Sequence, residues 1–81
     1  MKTKYKYIEF IPGFASEGLP GMYTEWICRN KGRKTVLGIV SYEEPWKEWE
    51  FCPYARMGFT IECLVDIADF LRQLNAEGKP A

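Results

Sequence analysis

The 81-residue chain contains no histidine. That absence removes the usual general base near neutral pH and the commonest metal ligand. It also leaves no imidazole to activate a serine, cysteine or threonine nucleophile. Serine is scarce as well, occurring only as Ser16 and Ser41, neither of them in a nucleophile-type turn motif. The carboxylates paired in sequence, Glu43 next to Glu44 and Glu48 two residues from Glu50, read as solvated surface groups, and the chain is not expected to be an enzyme. Cysteine is limited to Cys28, Cys52 and Cys63, an odd number without a close pair. Such a set makes a poor disulfide framework and lacks both the spacing and the fourth ligand of structural zinc. The three thiols are therefore expected in the core of a protein from a reducing, cytoplasmic compartment, with neither metal nor cofactor. The glycines at 13, 18 and 21 match neither the P-loop nor the dinucleotide fingerprint.

No apolar run approaches the ~20 residues that span a bilayer. The segment 1–7 is charged but has no apolar stretch behind it, so no signal peptide and no membrane partner are expected. Net charge is lacking too, with 11 Lys and Arg against 11 Asp and Glu. It is unevenly spread: residues 1–34 hold seven cations and three acids, and residues 35–81 hold four cations and eight acids.

What the chain does have is apolar mass. Hydrophobic residues make up 47% and aromatics 16%, enough for one folded domain spanning residues 1–81. Residues 4–11 alternate in the manner of a strand, with Tyr5 and Tyr7 on one face and Ile8 and Phe10 on the other. Residues 12–21, with two prolines and three glycines, read as a connecting loop. A second strand over 22–28 and a third over 35–42 flank Asn30-Lys31-Gly32, where Asn and Gly are expected to supply left-handed turn angles. After a turn at Glu43-Glu44-Pro45, residues 46–52 set Trp49 and Phe51 against Glu48 and Glu50. Pro53 ends that strand, and 53–59 cross over to a helix. Thr60 is the expected N-cap, Glu62 sits where the helix dipole favours an acid, and Gly78 followed by Pro80 supplies the stop. Ile61, Leu64, Ala68 and Leu71, widened by Val65, Ile67, Phe70 and Leu74, form a broad apolar face opposite Glu62, Asp66, Asp69 and Gln73. Only a sheet is large enough to cover it. The fold expected is α+β: an antiparallel sheet of three to four strands with one C-terminal helix on one face, in ββββα order.

Two binding chemistries are compatible with this surface. For a protein partner, Trp46 and Trp49 around the proline turn and Phe14 and Leu19 in the long loop are apolar residues suited to anchor an interface. A sheet edge, the first or fourth strand, also offers pairing to a second copy as a homodimer. For nucleic acid, Tyr5 and Tyr7 could stack on bases while Lys31 and Arg33, with Lys4, Lys6, Arg29 and Lys34, meet phosphates. The lack of basic excess weighs against that second reading.

From residue 37 to 75 the chain carries Leu37-Gly38-Ile39-Val40-Ser41-Tyr42, then Trp46, Trp49, Phe51 and Pro53, then Leu64, Ile67, Phe70, Leu71, Leu74 and Asn75. This run resembles a group of short uncharacterised proteins of phage and prophage type. They share a Leu-Gly-x-Ile strand, a Trp-containing turn, an aromatic strand ending at Pro, and a C-terminal helix ending in Leu-Asn. Ser41 departs from that group, which tends to carry an aromatic before the Tyr. The resemblance covers about half of the chain at the level of fold and implies a mobile-element accessory protein. Together these readings point to a small, non-enzymatic protein-interaction module, with nucleic-acid binding as the alternative.

Overall fold

The computed structural model describes residues 1–13 and 25–79. Four strands, β1 (Ile8–Pro12), β2 (Glu25–Asn30), β3 (Val36–Glu43) and β4 (Glu48–Pro53), form one antiparallel sheet in the order β1-β2-β3-β4. The helix α1 (Ile61–Glu77) follows and packs on one face. The expected ββββα arrangement is the one observed.

Local chemistry accounts for the elements. Thr60 caps α1 by accepting from the Cys63 backbone N–H at 3.3 Å, and Glu62 occupies the first turn. Gly78 ends the helix at φ 91°, a left-handed angle that a side chain would resist, while its N–H donates to the Leu74 carbonyl at 2.9 Å. The β2–β3 turn is built differently from the expectation. Asn30 contributes its side chain, whose Oδ1 accepts from the Arg33 N–H at 2.8 Å, and the left-handed residue is Lys34 (φ 64°). Asn30 suits this role because its short amide reaches a backbone donor three residues on.

β1 is shorter than the alternating pattern suggests. Residues 4–7 fold back instead of extending the strand. The Tyr5 N–H donates to the Ile8 carbonyl at 2.9 Å, the Phe10 N–H donates to the Thr3 carbonyl at 2.8 Å, and Lys4 bridges Glu9. The reversal separates the two tyrosines that strict alternation pairs. Tyr5 joins Ile8 and Phe10 in the core, and Tyr7 stays exposed.

The core centres on Phe70, which is fully buried. Its ring stacks on Phe10 with centroids 3.9 Å apart and planes 8° from parallel, and meets the edge of Trp26 at 5.3 Å. Ile67 and Leu74 flank it on α1; Ile8, Cys28, Val40 and Trp49 complete the sheet side. Burying a phenylalanine side chain contributes about 1.5–3 kcal/mol. Each well-placed aromatic pair adds roughly 0.5–1.5 kcal/mol.

The apolar half of α1 divides in two. Ile67, Phe70 and Leu74 are buried, whereas Ile61 is 81%, Leu64 49% and Val65 58% exposed. Expecting all of them beneath the sheet was incorrect, for a geometric reason. Seventeen residues make a helix about 26 Å long, whereas four strands span roughly 19 Å. At about 100° per residue, Ile61, Leu64 and Val65 also turn onto a flank well away from the Ile67–Phe70–Leu74 stripe.

At Gly38 the backbone of β3 leaves no room for a side chain against β4. A Cβ there would lie 2.7 Å from the Cys52 carbonyl oxygen and 2.7 Å from the Phe51 ring. That ring is held in turn by an edge contact with Phe59 at 5.4 Å. Gly38→Ala is expected to lower stability by about 1–3 kcal/mol in urea denaturation, the usual cost of overpacking a filled site. An unchanged midpoint would contradict this packing.

Candidate interaction surfaces

Four regions of the described surface are candidates for binding, each placed by the fold. The first is the free flank of α1, where Ile61, Leu64 and Val65 project from its N-terminal half. Beside it Tyr7, Asn30, Thr60, Ile61, Glu62 and Cys63 line a shallow open cleft. Tyr7 is 47% exposed, and its carbonyl accepts from the Lys31 N–H at 2.8 Å, so the basic turn and the cleft are physically joined.

The second region is the turn between β3 and β4. Trp46 stands there 73% exposed, the most exposed aromatic ring among the described residues. Trp49, expected beside it as a second anchor, is instead core at 6% exposure. Its indole Nε1–H donates to the Gly78 carbonyl at 2.9 Å, and its backbone N–H donates to Asn75 Oδ1 at 2.8 Å. A strand alternates its faces every residue, so Trp49 points under the helix while the turn carries Trp46 away from it. Phe14 and Leu19, the other two proposed anchors, lie outside the described residues.

The third region is the basic β2–β3 turn. Lys31 and Arg33 are exposed there, as the sequence leads one to expect. Tyr5 does not join them. It is 5% exposed, and its hydroxyl donates to Asp69 Oδ2 at 2.8 Å. Burial first, and the Asp69 carboxylate second, push that phenol far above its ordinary value. It serves as a strut between β1 and α1 and is unavailable for stacking on a base.

Arg29 and Lys34 are also committed. Both reach the Oε2 atom of Glu9, at 2.7 and 2.8 Å, and the Glu9 side chain is only 5% exposed. Hydrogen bonds from Lys34 and then Arg29 hold the Glu9 carboxyl below its ordinary value. Sequence reading did not single out Glu9, although it is the only acid in the first sixteen residues and lies between two apolar strand neighbours.

The fourth region is the sheet face turned away from α1. Strand alternation and the pairing register place Ile11, Ile27, Ile39 and Cys52 side by side across all four strands. None of the described elements packs on this face. Cys52 is the exposed thiol, whereas Cys28 is buried and Cys63 half-buried. The expectation of three core cysteines thus holds fully only for Cys28, whose pKa burial raises to about 12.

Both sheet edges are partly occupied. The 3–5 segment bonds to β1. On β4 the outward N–H groups fall at every second residue: Trp49 donates to Asn75, and Pro53 has no N–H to offer. Phe51 alone remains between them. Little of either edge is left for the expected strand pairing with a second copy.

Among the described residues, no group of three or more potential ligands is arranged to hold a metal ion, and no helix is long and apolar enough to cross a membrane. Comparison with family models, with curated proteins and with solved structures finds no match.

Glu9 yields a pH prediction with a definite sign. Its folded carboxyl binds a proton more weakly than the unfolded one, so its ion pairs stabilise the fold at neutral pH. That contribution is lost as pH falls below the ordinary value of 4.5 and through the lower folded value. The thermal midpoint of the wild type should drop over this window. Glu9→Gln should start lower at neutral pH and show a shallower acid limb. Parallel curves for the two proteins would refute the role given to Glu9.

Proposed function

We propose that this chain is a non-enzymatic protein-interaction module that docks a partner through the free flank of α1. The exposure of Ile61, Leu64 and Val65 on one stretch of helix carries the reading. Large apolar side chains left in water over little more than one helical turn contribute nothing to the core and are typical of a surface that a partner covers. Trp46, exposed in the turn between β3 and β4, adds a second apolar anchor. The resemblance of residues 37–75 to short phage and prophage proteins supports a role as a mobile-element accessory factor acting on a host protein.

A second reading rests on a separate observation. Tyr7, Lys31 and Arg33 are exposed together, joined by the bond from the Lys31 N–H to the Tyr7 carbonyl. This cluster would suit a single-stranded nucleic acid, one ring for a base and two cations for phosphates. It is smaller than the sequence suggests, since Tyr5, Arg29 and Lys34 are engaged internally.

The readings separate with two variants. Ile61→Lys/Val65→Lys should leave stability within about 0.5 kcal/mol of wild type, because exposed positions seldom matter to folding. It should also abolish capture of a partner that wild type and Lys31→Glu/Arg33→Glu both retain from host lysate. Salt-sensitive retention on heparin, lost in Lys31→Glu/Arg33→Glu and kept in Ile61→Lys/Val65→Lys, would instead favour nucleic acid. Equal capture by all three proteins would refute the flank as the docking surface.

A further inference from the structure

The sheet face opposite α1 has a charge order that the helix flank lacks. Its waist is the row Ile11, Ile27, Ile39 and Cys52. One step toward the β2–β3 turn, Arg29 and Lys34 converge on Glu9, two cations for one carboxylate, and Lys31 and Arg33 are exposed just beyond. One step the other way lie Glu25, Ser41 and Glu50, and past them Glu43 directly faces Glu48 across the strands. That end therefore holds four carboxylates. None of these four takes part in a described ion pair, and the Glu43–Glu48 cross-strand pair is repulsive. Positive end, apolar waist and negative end follow in sequence along the strands.

We infer that a second copy of this chain docks on this face, related to the first by a two-fold axis running along the Ile11–Ile27–Ile39–Cys52 row. Rotation about that line lays the apolar row on itself and exchanges the ends. The carboxylates of one copy then meet the cations of the other twice over. A purely basic partner would satisfy the acidic end and be repelled at the other, whereas a second copy satisfies both. Such isologous self-complementarity is what closed two-fold dimers require. The contact runs through the side of the sheet remote from Ile61, Leu64 and Val65, so it is independent of docking through the α1 flank, while its positive end shares Lys31 and Arg33 with the nucleic-acid reading. It also replaces edge pairing, which the occupied edges of β1 and β4 disfavour.

The size of the face sets the strength. Four strands by about five residues cover roughly 19 by 17 Å, below the ~800 Å² per partner of standard stable interfaces. The dimer is accordingly weak, with dissociation in the micromolar range or above, and depends on its charged ends. Sheets packed face to face lie about 10 Å apart, so paired Cys52 residues fall beyond disulfide reach but within that of a short bismaleimide.

The test combines mass measurement with charge exchange. In low salt, sedimentation velocity from micromolar to about 0.5 mM protein should show a monomer–dimer equilibrium that shifts at least tenfold toward monomer in about 0.5 M salt. Glu25→Lys/Glu50→Lys and Lys31→Glu/Arg33→Glu should each be monomeric alone, and an equimolar mixture should form a heterodimer. In a Cys63→Ser background, bismaleimide should link two chains through Cys52. Wild type that stays monomeric at every concentration, with Cys52 freely alkylated, overturns the proposal and leaves the face to another partner. A dimer that neither charge variant disrupts, or that forms without a Cys52 cross-link, overturns this geometry.

Discussion

The parallel stack of Phe70 on Phe10 is the contact on which the rest of the molecule depends. A four-stranded sheet with one helix has a single buried layer, and Phe70 lies at its middle, touching β1 through Phe10 and β2 through Trp26. The polar contacts that orient α1 lie on either side of this point. Toward β1, Tyr5 donates to Asp69, and Gln73 both donates to the Lys2 carbonyl and accepts from the Lys2 N–H. Toward β4, Trp49 bonds to Asn75 and Gly78. Hydrogen bonds of this kind contribute about 1 kcal/mol each, so they set direction and register, and the apolar stack supplies most of the attraction.

One placement of the helix has several consequences at once. It directs Asn75 to an outward N–H of β4, blunting an edge that would otherwise recruit other strands. It carries Trp49 inward while leaving Trp46 in water. It lets the first turns of α1 overhang, so Ile61, Leu64 and Val65 have no sheet beneath them. Among the described residues no element covers the reverse side of the sheet, where a central apolar row divides unlike charges. The two surfaces proposed for binding are thus what remains after one helix has been laid across one sheet.

Most of the fold was legible in the sequence because its signals are local. Thr60 and Gly78 bound the helix through their own side chain and backbone, and Pro45 and Pro53 mark the turn before β4 and its end without reference to distant residues, although β3 runs on to Glu43 and β4 begins at Glu48 instead of Trp46. The misreadings share a different cause. Whether Tyr5 points outward depends on a chain reversal at residues 4–7 that alternation does not reveal. Whether Ile61 is covered depends on how far the sheet extends, which helical periodicity does not encode. Trp49 could have been assigned to the core from its own alternation with Glu48 and Glu50, and the error lay in grouping it with Trp46 by proximity in sequence. Glu9, isolated among cations and flanked by Ile8 and Phe10, was a visible anomaly whose partners come from a strand and turn some twenty residues on.

The functional reading follows from this division between covered and uncovered surface, and it requires that α1 lie where the aromatic stack holds it. Two-dimensional nuclear Overhauser spectroscopy measures that placement directly. Strong cross-peaks from the Phe70 ring protons to both the Phe10 ring and the Trp26 indole are the result predicted. A Phe70 ring showing contacts only within α1, with no cross-peak to β1 or β2, would contradict the account.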